Sequence, residues 1–186
     1  MQVSALCNCL EENPIIAAVN DEAFEAAISS PAQVIFYLSA DILSVKEQIE
    51  KVHKAGKYIL IHIDLAVGIG KDRAGIQYLA KCGVDGIIST RAQLIRFAKE
   101  QELVAVQRFF ALDSKGIDSI EEMLHNTNPN FMEIMPGVIG KAISRFSSGY
   151  VPVIAGGLIQ TKQEVMEALR CGATAVSTGC KELWYL

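Results

Sequence analysis

The amino-acid sequence predicts an α/β protein with one domain, a small TIM-like (β/α)8 barrel that spans residues 1–186. Three observations predict this fold. Eight short apolar runs rich in Ile and Val recur along the whole chain, amphipathic stretches of helical spacing lie between them, and no Pro/Ser-rich linker divides the sequence. Apolar runs without strict polar alternation are typical of parallel strands that helices cover.

The predicted strands are evenly spaced. They are Ile15–Val19, Val34–Leu38, Tyr58–Ile63, Gly86–Ile88, Ala105–Phe109, Phe131–Met135, Pro152–Ala155 and Ala175–Ser177. Each unit takes about 23 residues, whereas an ordinary barrel has ~250 residues in eight units, so the loops are expected to be minimal and the last helix truncated. An open doubly wound sheet is the alternative, but its first βα turn is glycine-rich, and Val19–Glu22 contains no glycine.

The predicted helices begin at capping residues and end at glycines. Thr161 and Glu164 have the spacing of a capping box, Asp113 is a candidate cap, and Gly56 and Gly83 follow the last turns of two helices. The predicted helices are Ala23–Ile28, Ile42–Ala55, Asp72–Cys82, Ile117–His125 and Gln163–Cys171.

Composition excludes several classes of protein. With 51% hydrophobic residues the chain can build a core, so a disordered chain is excluded. The apolar runs are shorter than the ~18 residues of a membrane-spanning helix, and no basic segment precedes an apolar run at the N-terminus, so we expect a cytoplasmic protein that binds no membrane. The five cysteines lack repeated CxxC spacing, which indicates neither a disulfide framework nor a zinc site, and we expect no metal and no cofactor.

Glycine and hydroxyl residues follow the last two strands, where barrels often bind phosphate groups. Glycines let backbone N–H groups approach an anion, and hydroxyls add donors. The alternative explanation is tight turns that require positive φ. The candidate phosphate-binding residues are Gly156, Gly157, Ser177 and Thr178, with Lys141 or Arg91 adding positive charge.

Polar side chains also occur within apolar strands. Strand alternation puts His62 and Asp64 on the inward face, and Glu133 lies within the sixth strand. Inward carboxylates could perform acid/base chemistry, bind a divalent ion or hold ligand hydroxyls. They could equally form a polar plug with Arg108 or Gln107, and Arg108 must meet either a ligand anion or a carboxylate because it lies within an apolar strand.

The ordered series of motifs resembles the glycerol uptake operon antiterminator regulatory proteins, from about Pro14 to Trp184. The motifs that carry this resemblance are His62–Leu65 with Gly68, Asp85–Arg91, Gln107–Phe109 with Asp113-Ser114, Glu133–Gly137, Ile154–Ile159, and Ser177-Thr178 with Leu183-Trp184.

The resemblance implies a small barrel that responds to glycerol 3-phosphate and binds leader mRNA, so that transcription passes a terminator. It implies that the ligand hydroxyls meet Asp64, Glu133 and His62. Residues 1–50 contain eight acids and one base, so RNA would have to bind basic residues of the later chain, for which Arg96 and Lys99 are the candidates. A homo-oligomer is compatible with the sequence.

Two other functions stay open. A phosphosugar isomerase, epimerase or lyase can use the same fold, with an inward carboxylate as general base. The second alternative function is a ligand-binding module that acts through protein partners and does not bind RNA.

Overall fold

Eight parallel strands close into one barrel in the computed structural model, which describes residues 3–111 and 114–186. Each strand pairs with its neighbours in the sequence, and β8 pairs with β1. The strands are β1 (Ile15–Val19), β2 (Val34–Tyr37), β3 (Tyr58–His62), β4 (Gly86–Ser89), β5 (Val104–Phe110), β6 (Phe131–Met135), β7 (Val153–Gly156) and β8 (Ala175–Thr178). The predicted single-domain barrel is confirmed, and every predicted strand end lies within one residue of the observed one.

One described α-helix precedes the first strand, and each of the other α-helices connects two consecutive strands. They are α1 (Val3–Glu12), α2 (Asp21–Ser29), α3 (Val45–Lys54), α4 (Arg73–Cys82), α5 (Ala92–Glu100), α6 (Ser114–Thr127), α7 (Gly140–Phe146) and α8 (Lys162–Arg170). The capping box is confirmed, since Thr161 Oγ1 accepts from Glu164 N and a Glu164 carboxylate oxygen accepts from Thr161 N. Gly83 ends α4 at φ 91°, as its position predicts. The candidate cap Asp113 lies outside the described residues.

Two predicted helix starts differ from the observed ones by three residues, and one of them is that of α6, which begins at Ser114 and not at Ile117. The helix predicted from Ile42 begins at Val45, because Asp41 pairs with Val67 in an isolated bridge and Ile42 N donates to Val67 O at 3.0 Å. These bonds hold residue 42 in the loop. The sequence also gives no capping signal for α7, whose N-cap residue is Ile139.

Side chains of alternating direction build two apolar layers. Ile59, Ile61 and Ile63 pack with the surrounding helices, whereas Leu60 packs inside the barrel, as the strand alternation predicts. Helix α1 supplies Leu6 and Leu10, which are 1% exposed, to the inner layer. Helix α1 therefore belongs to the core of the barrel, although it precedes the first strand.

The chain after β8 forms only a short 3-10 helix, Lys181–Tyr185, which confirms the predicted truncation of the last helix. Trp184 is completely buried there, and its Nε1 donates to Thr178 O at 2.9 Å. This bond fixes the final segment to the end of β8. Among the described residues, no helix has the length and apolarity that crossing a membrane requires.

Candidate ligand site at the carboxyl ends of the strands

A cavity of about 200 Å³ opens at the carboxyl ends of the strands. Arg108 and Glu133 line it, and its walls include the loops that follow β7 and β8. Ser177 and Thr178 also line it, together with Gly157. The strand ends thus bring these five predicted residues together, as the barrel topology requires. A larger cavity of about 260 Å³ lies between α6 and α7 and contains none of the predicted site residues.

Glu133 is fully buried, and both of its carboxylate oxygens accept hydrogen bonds. Arg108 Nε donates to Oε2 at 2.6 Å, and Ser177 Oγ donates to Oε1 at 2.6 Å. Gln107 lies on the other face of β5, where Thr127 Oγ1 donates to its side-chain oxygen. Of the two partners considered for Glu133, the structure therefore selects Arg108, and Glu133 orients both Arg108 and Ser177.

The loop after β7 makes a tight turn with unusual backbone angles. Gly157 has φ 76° and Leu158 has φ 61°, a conformation that side chains other than glycine rarely adopt. Such strain is found where the surrounding structure imposes it, often at ligand sites. Gly137 N donates to Gly156 O and Gly157 O at 2.5 and 3.1 Å, so the loops after β6 and β7 are joined.

Three main-chain N–H groups at the cavity are unused. Those of Gly157, Leu158 and Gly179 donate to no residue within the described parts of the chain, and all three residues line the cavity. Gly157 is half-buried and Leu158 and Gly179 are exposed, so either water or a bound anion can accept from these N–H groups. The loops after β7 and β8 therefore offer main-chain donors to an anion.

Thr178 uses its hydroxyl to join those two loops. Its Oγ1 donates to Ile159 O at 2.8 Å and accepts from Cys180 N at 3.1 Å. Since Ser177 likewise donates its hydroxyl hydrogen to Glu133, neither predicted hydroxyl keeps a hydrogen for a phosphate group.

Asp64 lies in the 3-10 helix Ile63–Leu65 directly after β3. It accepts from Ser89 Oγ at 3.0 Å and from Thr90 N at 2.8 Å, and Arg91 Nε lies 3.4 Å from its carboxylate. Arg91 is therefore placed beside Asp64 and neutralises its charge.

His62 is 4% exposed, and neither ring nitrogen has a hydrogen-bond partner among the described residues. Its Nε2 lies 3.7 Å from Asp64 Oδ2. Burial, and then the positive charge of Arg108, lower the pKa of His62 to about 4. The imidazole is neutral at neutral pH and holds one unsatisfied donor and one unsatisfied acceptor.

None of the other predicted side chains lines the cavity, and this includes His62, Asp64 and Arg91. Lys141 is exposed in the first turn of α7. Arg96 is exposed on α5, and Lys99 Nζ donates to Asn128 O in the loop that precedes β6. Gly156, in contrast, ends β7 beside Glu133. No group of three or more potential metal ligands occurs within residues 3–111 and 114–186.

Sequence reasoning missed the apolar wall of the cavity. Ala18 lines it from near the end of β1, Leu38 directly after β2, and Met135 at the end of β6. The only sequence feature that could have identified these residues is their position at strand ends. It predicts that they line the site only if the barrel fold is assumed.

Comparison with known proteins identifies the family. The family model for the glycerol-3-phosphate responsive antiterminator matches residues 15–184. The chain belongs to this family. A relative from Escherichia coli K12, the uncharacterized protein YgcP, is 34% identical over 184 residues, which is 97% of this chain and 96% of YgcP.

Two solved structures show the same architecture within the antiterminator group. The glycerol uptake operon antiterminator regulatory protein of Listeria monocytogenes has a TM-score of 0.87 and 31% identity, and the match covers 92% of this chain and 95% of that one. An antiterminator-related protein of Thermotoga maritima has a TM-score of 0.83 and 32% identity, with 91% and 96% covered. An aldolase, QR15, with a TM-score of 0.71 at 12% identity, shares the fold alone.

Proposed function

We propose that this chain is a cytoplasmic sensor of glycerol 3-phosphate that binds leader mRNA in response and thereby lets transcription pass a terminator. The observation that carries the ligand part is the set of three unused main-chain N–H groups, those of Gly157, Leu158 and Gly179, at a cavity of about 200 Å³. Membership of a family described as glycerol-3-phosphate responsive supports the same ligand.

In this proposal the phosphate group accepts hydrogen bonds from the loops after β7 and β8. Gly156, Ser177 and Thr178 shape those loops, since both hydroxyls already donate within the protein. Lys141 supplies long-range positive charge, whereas the charge of Arg91 is balanced by Asp64.

The glycerol hydroxyls point toward the inner end of the site. His62 is not among the residues that line the cavity, but both of its buried ring nitrogens are unpartnered among the described residues, so the proposal assigns them to the glycerol hydroxyls. Asp64 and Glu133 would meet them as acceptors, although hydrogen bonds within the protein already engage both carboxylates.

The ligand site is tested by a matched pair of variants at Gly179. A Cβ atom at this position would have its nearest heavy atom at 3.4 Å, so a side chain can be accommodated. Gly179→Asp puts negative charge beside the proposed phosphate, whereas Gly179→Asn adds a side chain of nearly the same size without charge. Unfolding is measured with and without glycerol 3-phosphate, which at 100 times its Kd stabilises a protein by about 2.7 kcal/mol.

We expect the Asn variant to keep most of this stabilisation and the Asp variant to lose it. Glycerol and inorganic phosphate serve as partial ligands. Equal stabilisation of both variants would place the phosphate elsewhere.

RNA binding is proposed for the outer surface that carries Arg96 and Lys99. Lys99 also bonds to Asn128 O, so Arg96 is the more accessible of the two cations. Few cations are available, so we expect modest affinity and a shallow salt dependence, about −0.7 in log–log slope for each phosphate contact with single-stranded RNA. A homo-oligomer would multiply these contacts.

Fluorescence anisotropy with leader RNA tests this step at two salt concentrations, with and without glycerol 3-phosphate. We expect tighter binding with the ligand, because a sensor must bind its target differently in its two states. Arg96→Glu and Lys99→Glu should weaken RNA binding and leave ligand binding intact. Equal affinity in both ligand states would contradict the sensor.

The enzyme alternative gains nothing from the aldolase-like neighbour, whose identity of 12% supports the fold alone. An aldolase that forms a Schiff base needs a lysine in its site. None of the eight strands, all within the described residues, contains a lysine. Turnover of any triose phosphate by the purified protein would revive this alternative.

A further inference from the structure

Among the described residues, the charges that line the cavity are paired with each other. Among the described residues that line the cavity, Arg108 and Glu133 are the ionisable ones, and they form an ion pair at 2.6 Å. Next to them Asp64 is paired with Arg91 at 3.4 Å. His62 is neutral because burial and Arg108 lower its pKa. The inner end of the site therefore has no net charge.

Glu133 cannot release Arg108 easily. Its side chain is fully buried, and its second oxygen accepts from Ser177 at 2.6 Å. Gly156 lies directly against this carboxylate, with no space between them for a side chain. The charge of Arg108 is thus cancelled by a carboxylate that Ser177 also holds in place.

A ligand meets two different environments along this site. The loops after β7 and β8 offer unpartnered N–H groups, which suit a phosphate. The inner end offers the closed ion pair of Arg108 and Glu133, which suits hydroxyl groups. A carboxylate placed there would lose its hydration beside Glu133 without gaining an unpaired cation, which is unfavourable.

We infer that Glu133 determines the class of ligand: it makes the site accept a phosphate ester whose other end carries neutral hydroxyls and reject one whose other end carries a carboxylate. This inference rests on the proposed function and specifies its ligand. Glu133 acts here as a specificity-determining residue through the charge it cancels, and direct contact with the ligand is not required.

Two small molecules test the inference, because they differ at one carbon. Glycerol 3-phosphate has a CH2OH group where 3-phosphoglycerate has a carboxylate. Calorimetric titration of the wild-type protein with each should show a preference for glycerol 3-phosphate of about tenfold or more. In Glu133→Gln the charge of Arg108 is no longer cancelled, so the ratio of the two Kd values should shift by about tenfold toward 3-phosphoglycerate.

A second variant leaves the ion pair intact, in case Glu133→Gln does not fold. Met135 lines the cavity, and Met135→Lys adds one positive charge on a flexible side chain of similar length. Met135→Lys should shift the ratio of the two Kd values toward 3-phosphoglycerate, as Glu133→Gln does. Met135→Gln adds no charge, so it should keep the wild-type ratio even if both affinities change.

The outcomes separate this inference from the proposed function. A wild-type protein that binds neither compound contradicts both. A wild-type protein that binds glycerol 3-phosphate but does not prefer it overturns the inference alone. The inference alone is also overturned if the ratio of the two Kd values is the same as in the wild type in Met135→Lys and in any folded Glu133→Gln protein.

Discussion

Gly156 carries no side chain because Glu133 occupies the space that one would fill. A Cβ atom on Gly156 would lie 2.4 Å from Glu133 Oε1 and 2.7 Å from Ser177 Oγ. The neighbouring Gly157 has a different reason to be glycine, its φ of 76°. The glycine pair after β7 thus combines space for a buried carboxylate with a tight turn that exposes main-chain donors.

Gly156→Ala should destabilise the protein by about 1–3 kcal/mol, the usual cost of overpacking a filled site. The added methyl group pushes on Glu133, which holds Arg108 and Ser177, so binding of glycerol 3-phosphate should weaken as well. Urea unfolding measures the first effect, and calorimetric titration measures the second.

Gly179→Ala is the matched control. It adds the same methyl group at the same cavity, where the nearest heavy atom would be 3.4 Å away and φ is not positive. If both alanine variants are equally stable, the close contact between Gly156 and Glu133 is not what fixes the glycine.

Leu10→Ala should destabilise the protein by about 2–5 kcal/mol, as large-to-small substitutions in a core do. Leu10 is 1% exposed and lies in the inner layer of the barrel, although α1 precedes the first strand. Leu43→Ala is the control. Because Leu43 is 93% exposed, this substitution should not measurably change the free energy of unfolding. Equal urea midpoints for the two variants would show that α1 does not seal the barrel in solution.

The sequence predicts the strands well because β-branched apolar runs give a direct local signal. It also identifies the polar residues at strand ends, since topology brings those ends together. Helix α1 is not predicted, because Leu6 and Leu10 fill the inner layer only once the barrel is closed.

The roles of the site residues are harder to predict than their positions. No spacing reveals that Ser177 donates to Glu133, which comes 44 residues earlier, or that Thr178 donates to Ile159 O. The donors that remain for an anion are main-chain N–H groups. The local sequence does not predict whether such a group forms a hydrogen bond within the protein. Leu158, with φ 61°, has no local sequence signal either.

The stability of the protein should fall in acid because of His62. The pKa is about 4 in the folded protein and about 6.5 in the unfolded chain. Between these values the unfolded chain binds a proton that the folded protein does not, so the free energy of unfolding falls as the pH falls. From pH 7 to pH 5 His62 alone should account for about 2 kcal/mol.

His62→Leu should remove this part of the pH dependence. It should also stabilise the ligand-free protein at pH 7 by roughly 1 kcal/mol, because it removes two buried nitrogens without partners. His125 is exposed, so His125→Gln should keep the wild-type loss. Urea unfolding at pH 7 and pH 5 gives the comparison, and parallel losses in wild type and His62→Leu would exclude His62 as the cause.

Thr178 joins the two loops that form the proposed phosphate site, so its hydroxyl should control ligand affinity. Thr178→Val keeps the shape of the side chain but leaves Ile159 O without a donor and Cys180 N without an acceptor. Unmade bonds of this kind cost about 1–3 kcal/mol, and we expect the Kd for glycerol 3-phosphate to rise about tenfold. Thr178→Ser keeps the hydroxyl and should bind nearly as the wild type does.

Trp184 provides the measurement. It is the single tryptophan of the chain, and its Nε1 donates to Thr178 O at 2.9 Å. We expect a ligand bound to the loops after β7 and β8 to alter the surroundings of this indole, so that its emission changes in proportion to occupancy. Titrating the wild-type, Ser and Val proteins by fluorescence gives three Kd values from one signal. If the Val protein binds as tightly as the Ser protein, the hydroxyl of Thr178 has no part in holding the phosphate site together.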